Sequence, residues 1–400
     1  MPERSDLGIM KTKKFKLHIS LMCVFLCLLL TACSNSKKAL NAYDNAVENG
    51  FSGSYEDWVR DISDTANFVI ITDYVTPNTE EDVSDAIQSV IDTNPNRTIY
   101  FPDGEYVISK PILTPADPLK SVSLELSNYA IIKASSSWSS DEAMIRLGAS
   151  FQKNDIYTPG SNYYISGGII DGNSKANGIS IDGGRETKVE NVSIKNTVVG
   201  LHIKYGANSG SSDADISNVN IVGCASTNSI GVVIDGYDNT LSNMRIARVQ
   251  TGVMLNAPGN FLRNIHPLYI SENQLNSDTY KDSVGFFDKA GGNWFDICYS
   301  DQFSTGFLMN DKSNSIYDKC FCFWYAVHGP QTGFKADGQF SGTIKSGKVV
   351  FHSESPAELN AYISVKDNGG NGIIENPIFN ESSSANKTYS KYLVGKILPS

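Results

Sequence analysis

Between residues 178 and 338 the chain repeats one short pattern of apolar and polar positions. Each copy begins with glycine, places apolar residues at alternating positions and usually ends in a polar residue. The seven copies read GISID from Gly178, GLHIK from Gly200, GVVID from Gly231, GVMLN from Gly252, GFFDK from Gly285, GFLMN from Gly306 and GFKAD from Gly333. The glycines are 21 to 33 residues apart, and a period of that size is typical of solenoid proteins.

A second phrase precedes four of these copies. It reads VENVSI from Val189, ISNVNI from Ile216, LSNMRI from Leu241 and LRNIHP from Leu262. Each repeat therefore carries two short strands whose alternate side chains face opposite sides. One repeat alone cannot bury its inner face, so successive repeats must stack. The pattern predicts an all-β fold, a right-handed single-stranded parallel β-helix over residues 67–400.

An amphipathic helix is predicted just before the first strands. Residues 79–82 (TEED) have the form of a capping box, and an apolar stripe follows at helical spacing. The stripe consists of Val83, Ala86, Ile87, Val90 and Ile91. Because an uncovered coil would expose its core and unpaired strand edges, this helix is expected to cap the solenoid.

The first 32 residues have the features of a secretion signal. Four lysines between Lys11 and Lys16 precede an apolar run, and the run ends in Leu30-Thr31-Ala32-Cys33. That ending resembles the lipobox of bacterial lipoproteins, which implies a lipid on Cys33 and a protein tethered to the extracellular face of the cell membrane. The alternatives are a transmembrane anchor or an ordinary cleavage site.

Residues 33–66 are predicted to form a polar helical spacer. Their phrase AYDNAVENGFSGSYEDWV includes a second capping-box pattern, Ser54 to Asp57. The phrase resembles a short helical module found in surface and phage-tail proteins of Gram-positive bacteria. The predicted organisation is therefore a signal peptide over 1–32, a spacer over 33–66 and the β-helix beyond it.

Charge and cysteine content narrow the possible partners. The chain has 33 Lys and Arg against 43 Asp and Glu, a net charge of −10, which argues against a nucleic-acid partner. Beyond Cys33 the cysteines are Cys224, Cys298, Cys320 and Cys322. Cys298 and Cys320 lie about one coil apart, so they are either buried free thiols or a bridge between coils. No cysteine spacing indicates zinc.

No cofactor is predicted from the sequence. Two carboxylate pairs, Asp213 with Asp215 and Asp235 with Asp238, offer oxygen ligands of the kind that calcium prefers. Surface loops commonly carry such pairs without a metal, so calcium stays possible without being indicated.

Two parts of the sequence resemble the pectate-lyase-like superfamily, including its polygalacturonase-related branch. They are the helix, strand, Pro102-Asp103-Gly104 turn and strand at the start of the solenoid, and the phrase GGIIDGN from Gly167. The resemblance covers residues 73–379 and implies a β-helix that acts on polysaccharide. The Asn-Thr-Asp, Asp-Asp, Gly-His-Gly and Arg-Ile-Lys phrases of polygalacturonases are absent, so no catalytic residue carries over.

Stacked coils bring equivalent residues into columns about 4.8 Å apart, and two outward columns are candidates for chemistry. The first contains Asp182, Lys204 and Asp235, and the second contains Arg245 and His266. A hydrolase needs two carboxylates around the sugar bond, and the candidates are Asp171, Asp182 and Asp235. A lyase needs a cation and a base. Arg245 and Lys204 are the candidates for these two roles, with His266 or Arg248 as alternatives for moving the proton.

Aromatic residues concentrate in the later coils and predict a sugar-binding surface. Trp294, Trp324 and Tyr325, together with Arg248, are the candidate substrate contacts. The predicted function is cleavage of a polysaccharide by a cell-surface lipoprotein, as hydrolase or lyase. The alternative is a non-catalytic glycan-binding protein, adhesin or phage-tail-like β-helix, in which charged columns are ordinary cross-strand pairs.

The lipobox assignment predicts that Cys33→Ser abolishes lipid attachment and leaves a folded, untethered or unprocessed chain. Labelling cells with a fatty-acid analogue measures this directly. Equal incorporation into the variant and the parent would contradict the assignment.

Overall fold

The computed structural model describes most of the chain after residue 42. The described ranges are 43–58, 68–150, 164–205, 210–269, 277–310, 314–325, 331–351, 359–365, 370–379, 386–387, 389, 391–394 and 398–399. The chain divides into two compact units, residues 1–67 and 68–400. The predicted signal peptide and Cys33 lie outside the described residues. Within those residues, no helix is long and apolar enough to cross a membrane.

The first unit contains two helical segments, α1 over 43–48 and α2 over 55–58. The predicted capping box is present at the start of α2. The Ser54 amide donates to Asp57 Oδ2 at 2.8 Å, and the Asp57 amide donates to Ser54 Oγ at 3.1 Å. Tyr43 then packs against the rings of Tyr55 and Trp58, at centroid distances of 5.5 and 5.7 Å.

The second unit is the predicted parallel β-helix, with three parallel ladders that we call faces A, B and C. Face A contains β1 (Phe68–Ile70), β2 (Thr98–Phe101), β10 (Lys188–Glu190), β14 (Asp215–Ser217), β21 (Trp294–Asp296), β24 (Ile316–Asp318), β27 (Thr343–Lys345), β30 (Ile373–Glu375) and β33 (Leu393–Val394). Four long strands begin on face A and end on face B, namely β5 (Ser123–Ala134), β7 (Tyr164–Asp171), β17 (Thr240–Ala247) and β19 (Phe261–Leu268).

Faces B and C complete each coil. Face B contains β3 (Gly104–Ile108), β11 (Ser193–Thr197), β15 (Asn220–Gly223), β22 (Tyr299–Asp301), β25 (Phe321–Trp324), β28 (Lys348–Phe351), β31 (Ile378–Phe379) and β34 (Leu398–Pro399). Face C contains β4 (Ile112–Pro115), β6 (Ala143–Ser150), β8 (Asn177–Ile181), β12 (Val199–Ile203), β16 (Ile230–Ile234), β18 (Thr251–Leu255), β20 (Val284–Asp288), β23 (Thr305–Met309), β26 (Gln331–Ala336), β29 (Leu359–Val365) and β32 (Asn386–Lys387). A short pair, β9 (Gly184–Arg185) with β13 (Ser211–Ser212), lies beside them.

The glycine of the repeated phrase, near the start of seven face C strands, is required by the spacing between coils. A Cβ on Gly178 would stand 2.5 Å from the carbonyl oxygen of Gly200, and one on Gly200 would stand 2.6 Å from that of Gly231. The contact repeats at every later copy, with distances of 2.3 to 2.7 Å. Because real Cβ atoms do not approach backbone oxygen so closely, the repeated glycine lets each coil stack on the next.

The corner between faces A and B is a single residue in the left-handed conformation. Asparagine is common there because its short polar side chain tolerates positive φ. The corner residues are Asn191, Asn218, Asn243, Asn264, Ile297, Lys319, Ser346 and Asn376, with φ between +48 and +57°. This corner explains the VENVSI-type phrase, whose central asparagine separates one strand from the next.

The interior of the solenoid is apolar and stacked. On face C the rings of Phe286, Phe307 and Phe334 lie parallel in consecutive coils, with centroids 4.6 and 4.9 Å apart. Cys298, Cys320 and Cys322 are buried and free, so no bridge joins Cys298 to Cys320.

One carboxylate and a row of amides are buried in this interior. Asp288 is 1% exposed and accepts hydrogen bonds from the Gly291 amide, Asn293 Nδ2, Ser315 Oγ and the Tyr317 hydroxyl. The side chains of Asn239, Asn260 and Asn293 form hydrogen bonds to one another across consecutive coils. These polar groups are satisfied internally, which is why they are tolerated in a core.

The capping helix α3 (Ser84–Thr93) is present, but its start was predicted wrongly. Residues 79–82 do not form a capping box. Instead, Asp82 accepts hydrogen bonds from the amides of Ser84 and Ser109, both at 3.0 Å, and so joins the helix to the first coil. Val83, Ile87, Val90 and Ile91 are buried as expected, whereas Ala86 is exposed.

Gly231→Ala is expected to lower the free energy of unfolding by about 2 kcal/mol or more, because the new methyl group overlaps the Gly252 carbonyl oxygen. That loss corresponds to a fall of about 3 °C or more in the thermal midpoint for a unit of this size. Gly183→Ala is the matched control, since its Cβ would lie 3.3 Å from the nearest atom. Equal midpoints for the two variants would contradict the steric explanation.

Candidate functional site

The first predicted column lies at the end of the face C strands, in the predicted register. The amides of Asp182, Lys204 and Asp235 donate to carbonyl groups of the preceding coil. Their strands, β8, β12 and β16, are consecutive in the ladder. The strand spacing therefore separates Asp182 from Asp235 by about 10 Å, with Lys204 between them.

Asp182 is the centre of a compact ionic network. Its carboxylate receives Arg146 Nη2 at 2.5 Å and Lys204 Nζ at 3.4 Å, and Ser180 donates to its other oxygen. Lys204 also contacts Glu142 at 2.5 Å. Burial raises the pKa of Asp182, but the hydrogen bonds from Arg146 and Ser180 and the charge of Lys204 outweigh it, so the pKa lies below its usual value.

Asp235 forms a pair that the sequence analysis missed. His202 Nε2 lies 2.7 Å from Asp235 Oδ2, and Asn256 Nδ2 donates to Oδ1 at 2.7 Å. Burial raises the pKa of Asp235, yet the hydrogen bonds from His202 and Asn256 prevail and lower it. His202 occupies the outward position in the centre of its glycine phrase, and that position was the signal available in the sequence.

In the face C network each carboxylate therefore has a basic side chain as its partner. Glu142 and Asp182 contact Arg146 and Lys204, and Asp235 contacts His202. A glycoside hydrolase also needs one carboxyl that keeps its proton. Because the pKa values of Asp182 and Asp235 are both lowered, neither of them is prepared to act as that acid.

The second predicted column lies on face B and carries a different set of groups. Arg245 is paired in register with His266, and the His266 ring stacks on the Tyr299 ring with centroids 4.1 Å apart and planes at 16°. Arg245 is exposed and donates to the Met244 carbonyl at 3.2 Å. In the described part of the chain it pairs with no carboxylate. An arginine, an imidazole and a phenol thus follow one another along the solenoid.

Asp301 lies beside this column, two residues after Tyr299. Its Oδ2 is 3.5 Å from His266 Nε2, and both His266 Nε2 and Asp301 Oδ1 are buried atoms with no hydrogen-bond partner among the described residues. Burial, together with the charge of Asp301 and a hydrogen bond to it, raises the pKa of Tyr299. The phenol therefore keeps its proton at neutral pH.

The face B column continues with an aromatic ring and a cation. Phe321 stacks on Tyr299 with centroids 4.7 Å apart, and Lys348 Nζ lies 5.1 Å from the centre of the Phe321 ring. We call the series Arg245, His266, Tyr299, Phe321 and Lys348 the face B column. It offers two cations and three flat rings along the axis of the solenoid.

The remaining candidates are dispersed. Asp171 lies on face B in register with Lys133 and Lys195, three strands or about 14 Å before β17, and accepts from Asn196 Nδ2 at 3.0 Å. Because Asp171 lies on face B and both Asp182 and Asp235 lie on face C, the fold does not bring the three carboxylates together. Arg248 is a half-buried residue at the corner after face B, with φ of +57°.

The predicted aromatic contacts divide between surface and core. Trp294 is 46% exposed on face A, and Tyr325 is 61% exposed after the end of β25. The prediction for Trp324 was wrong, because it is 1% exposed and its indole donates to the Phe303 carbonyl at 2.7 Å. Adjacent strand residues face opposite sides, so Trp324 and Tyr325 could not both face outward.

No metal site is evident in the ranges that the structure describes, since no three His, Cys, Asp or Glu side chains are grouped as metal ligands there. Of the proposed calcium pairs, Asp213 instead contacts Arg185 Nε at 2.8 Å, and Asp235 contacts His202.

A sequence profile of the family described as "Rhamnogalacturonase A/epimerase, pectate lyase-like" matches residues 68–274, slightly more than half of the chain. The chain belongs to this family. The match includes the face C network, Arg245 and His266, and ends before Tyr299. No curated protein matches the whole sequence closely enough to be counted as a relative.

Solved structures with the same fold include phage proteins and an epimerase. The bacteriophage phi29 gene product 12 N-terminal fragment has a TM-score of 0.59 at 14% identity, over 83% of this chain and 61% of that one. The tailspike protein of E. coli bacteriophage HK620 in complex with pentasaccharide gives 0.60 at 12%, over 84% and 65%. The Azotobacter vinelandii mannuronan C-5 epimerase AlgE4 A-module gives 0.51 at 12%, over 82% and 100%.

At such low identity these likenesses establish the parallel β-helix and nothing finer. The chain spans less than two thirds of either phage protein. Together with the family match, they confirm the predicted fold class and the pectate-lyase-like resemblance.

The lowered pKa of Asp182 predicts how stability depends on pH. The ion pairs contribute fully above about pH 3.8, the ordinary value, and their contribution is lost as the pH falls through the lower folded-state pKa. Asp182→Asn should cost about 3 kcal/mol at neutral pH, because Arg146 and Lys204 lose a buried partner. The difference from the parent should shrink below pH 3.8 in chemical denaturation. A difference that is constant with pH would contradict the assignment.

Proposed function

We propose that this protein acts on an acidic polysaccharide through the face B column, by removing the proton next to a uronate carboxylate. The observation that carries the proposal is the column itself: an arginine without a carboxylate partner among the described residues, an imidazole and a protonated phenol in consecutive coils. The family match and the solved neighbours, which include a tailspike in complex with a pentasaccharide and a mannuronan C-5 epimerase, support a polysaccharide as substrate.

Arg245 is suited to bind the uronate carboxylate. A guanidinium offers a planar fork of donors that matches a carboxylate, and neutralising that negative charge makes the neighbouring C5 proton easier to remove. Lys204 of the face C network is less suited, because Glu142 and Asp182 already occupy it at 2.5 and 3.4 Å.

His266 is the proposed base and Tyr299 the proposed acid. The imidazole takes the C5 proton, the electron pair forms the C4–C5 double bond, and the C4–O bond breaks. The leaving oxygen takes the phenol proton of Tyr299, and solvent later restores both groups. Asp301, 3.5 Å from His266 Nε2, stabilises the imidazolium that forms, which leaves Nδ1 to receive the substrate proton.

A second candidate function is glycan binding without cleavage. The paired carboxylates of the face C network favour it, since cross-strand polar pairs stabilise a sheet without any chemistry. In either case the proposed location is the cell surface, for which the lipobox at Cys33 is the support.

The test is turnover of a panel of uronate-containing polysaccharides by the purified chain without its leader. Elimination produces an unsaturated uronate that absorbs in the ultraviolet, hydrolysis produces only new reducing ends, and epimerisation produces neither but exchanges the C5 proton with deuterium from the solvent. We expect ultraviolet-absorbing product, and a loss of at least about a hundredfold in His266→Ala and in Tyr299→Phe.

Asp235→Asn is the matched control, because it alters the charged column on face C and leaves face B intact. It should keep turnover within a few-fold of the parent. If Asp235→Asn loses activity while His266→Ala keeps it, the reaction belongs to face C. Binding without any product from the parent would favour the non-catalytic alternative.

A further inference from the structure

The corner between faces A and B contains one residue that is unfavourable there. Ile297 has φ of +55°, and a β-branched side chain in that region is strained. Five of the other corner residues are asparagine. Ile297 is also 44% exposed, so neither the backbone conformation nor burial accounts for an isoleucine at this position. Residues held in strained conformations are often found at functional sites.

The neighbours of Ile297 form an apolar ridge with it. Trp294 is 46% exposed and Ile316 is 40% exposed, and the two are paired in register on face A. Ile297 follows Trp294 by three residues and turns the chain toward face B. We call Trp294, Ile297 and Ile316 the ridge. The Trp294 indole offers a flat apolar surface of the kind on which a sugar ring stacks.

The charged groups around the ridge are paired with one another. Asp296 pairs with Arg263 Nε at 3.4 Å, and Asp318 contacts Lys319 Nζ at 3.4 Å. Each of these carboxylates therefore already has a cation as its partner. Because the two pairs offer no unpaired charge to a ligand, the surroundings of the ridge suit an uncharged sugar ring better than a uronate.

We propose that the ridge is a binding platform for an uncharged sugar ring of the glycan whose uronate reacts at the face B column. The platform borders that column, since Tyr299 follows Ile297 by two residues, a chain length of about 7 Å. The proposal rests on the proposed function for the identity of the glycan. The contact between the ridge and a sugar does not depend on the reaction.

The test is affinity electrophoresis of the chain without its leader. One set of gels contains a neutral polymer, either galactan or dextran, and the other contains an acidic polymer, either pectin or alginate. Trp294→Ala should weaken retardation at least tenfold in a gel that retards the parent. Ile297→Asn should weaken it and also raise the thermal midpoint, because asparagine relieves the strain. Ser346→Asn is the matched control at another corner position, with φ of +50°, and should leave retardation unchanged.

The outcomes separate the platform from the reaction. If His266→Ala loses turnover while Trp294→Ala loses affinity, both proposals stand. If Trp294→Ala loses affinity and no variant forms product, the platform stands without the reaction. The platform is wrong if no gel retards the parent, if Trp294→Ala is retarded like the parent, or if Ile297→Asn lowers the thermal midpoint without changing affinity.

Discussion

The close approach of successive coils at the face C glycines is the constraint on which the rest of this structure depends. Each glycine of the repeated phrase faces a backbone carbonyl oxygen of the next coil, that of the next glycine in six cases and of Tyr362 for Gly333, and a Cβ would stand 2.3 to 2.7 Å from that oxygen. Side chains that meet in a column are therefore those at equivalent positions of the glycine phrase. The chemistry on every face follows from this register.

That register explains how much could be predicted from the sequence. The two repeated phrases fix the alignment of coils. The column through Asp182 and Lys204 was therefore found from the glycine phrase, and the column through Arg245 and His266 from the phrase that precedes it, without a structure. Trp324 shows the limit of the method, because alternation alone does not say which of two adjacent aromatic residues faces inward. The start of the capping helix was also misplaced. Asp82 accepts a hydrogen bond from Ser109 in the first coil as well as from Ser84 at the start of the helix, and the sequence carried no signal for the contact with the coil.

Contacts between residues far apart in sequence were beyond prediction. Arg146 and Glu142 belong to a coil that lacks the glycine phrase, so their contacts with Asp182 and Lys204 had no signal in the repeat. Those contacts argue against catalysis by the face C column, because they leave its carboxylates ionised and its cations already paired. His202 and Tyr299 were also missed as partners, although the repeat places each next to a residue that was identified.

The three faces thus differ in character. Face C has carboxylates paired with basic side chains, and the edge of face A is an apolar ridge. Face B has an imidazole and a phenol beside an arginine that pairs with no carboxylate of the described residues. The central claim is that an acidic glycan reacts on face B. A crystal structure of His266→Ala soaked with an oligouronate tests it most directly. The account predicts a uronate carboxylate against the Arg245 guanidinium and the Tyr299 hydroxyl. A sugar bound over Asp182, Lys204 and Asp235 instead would contradict it.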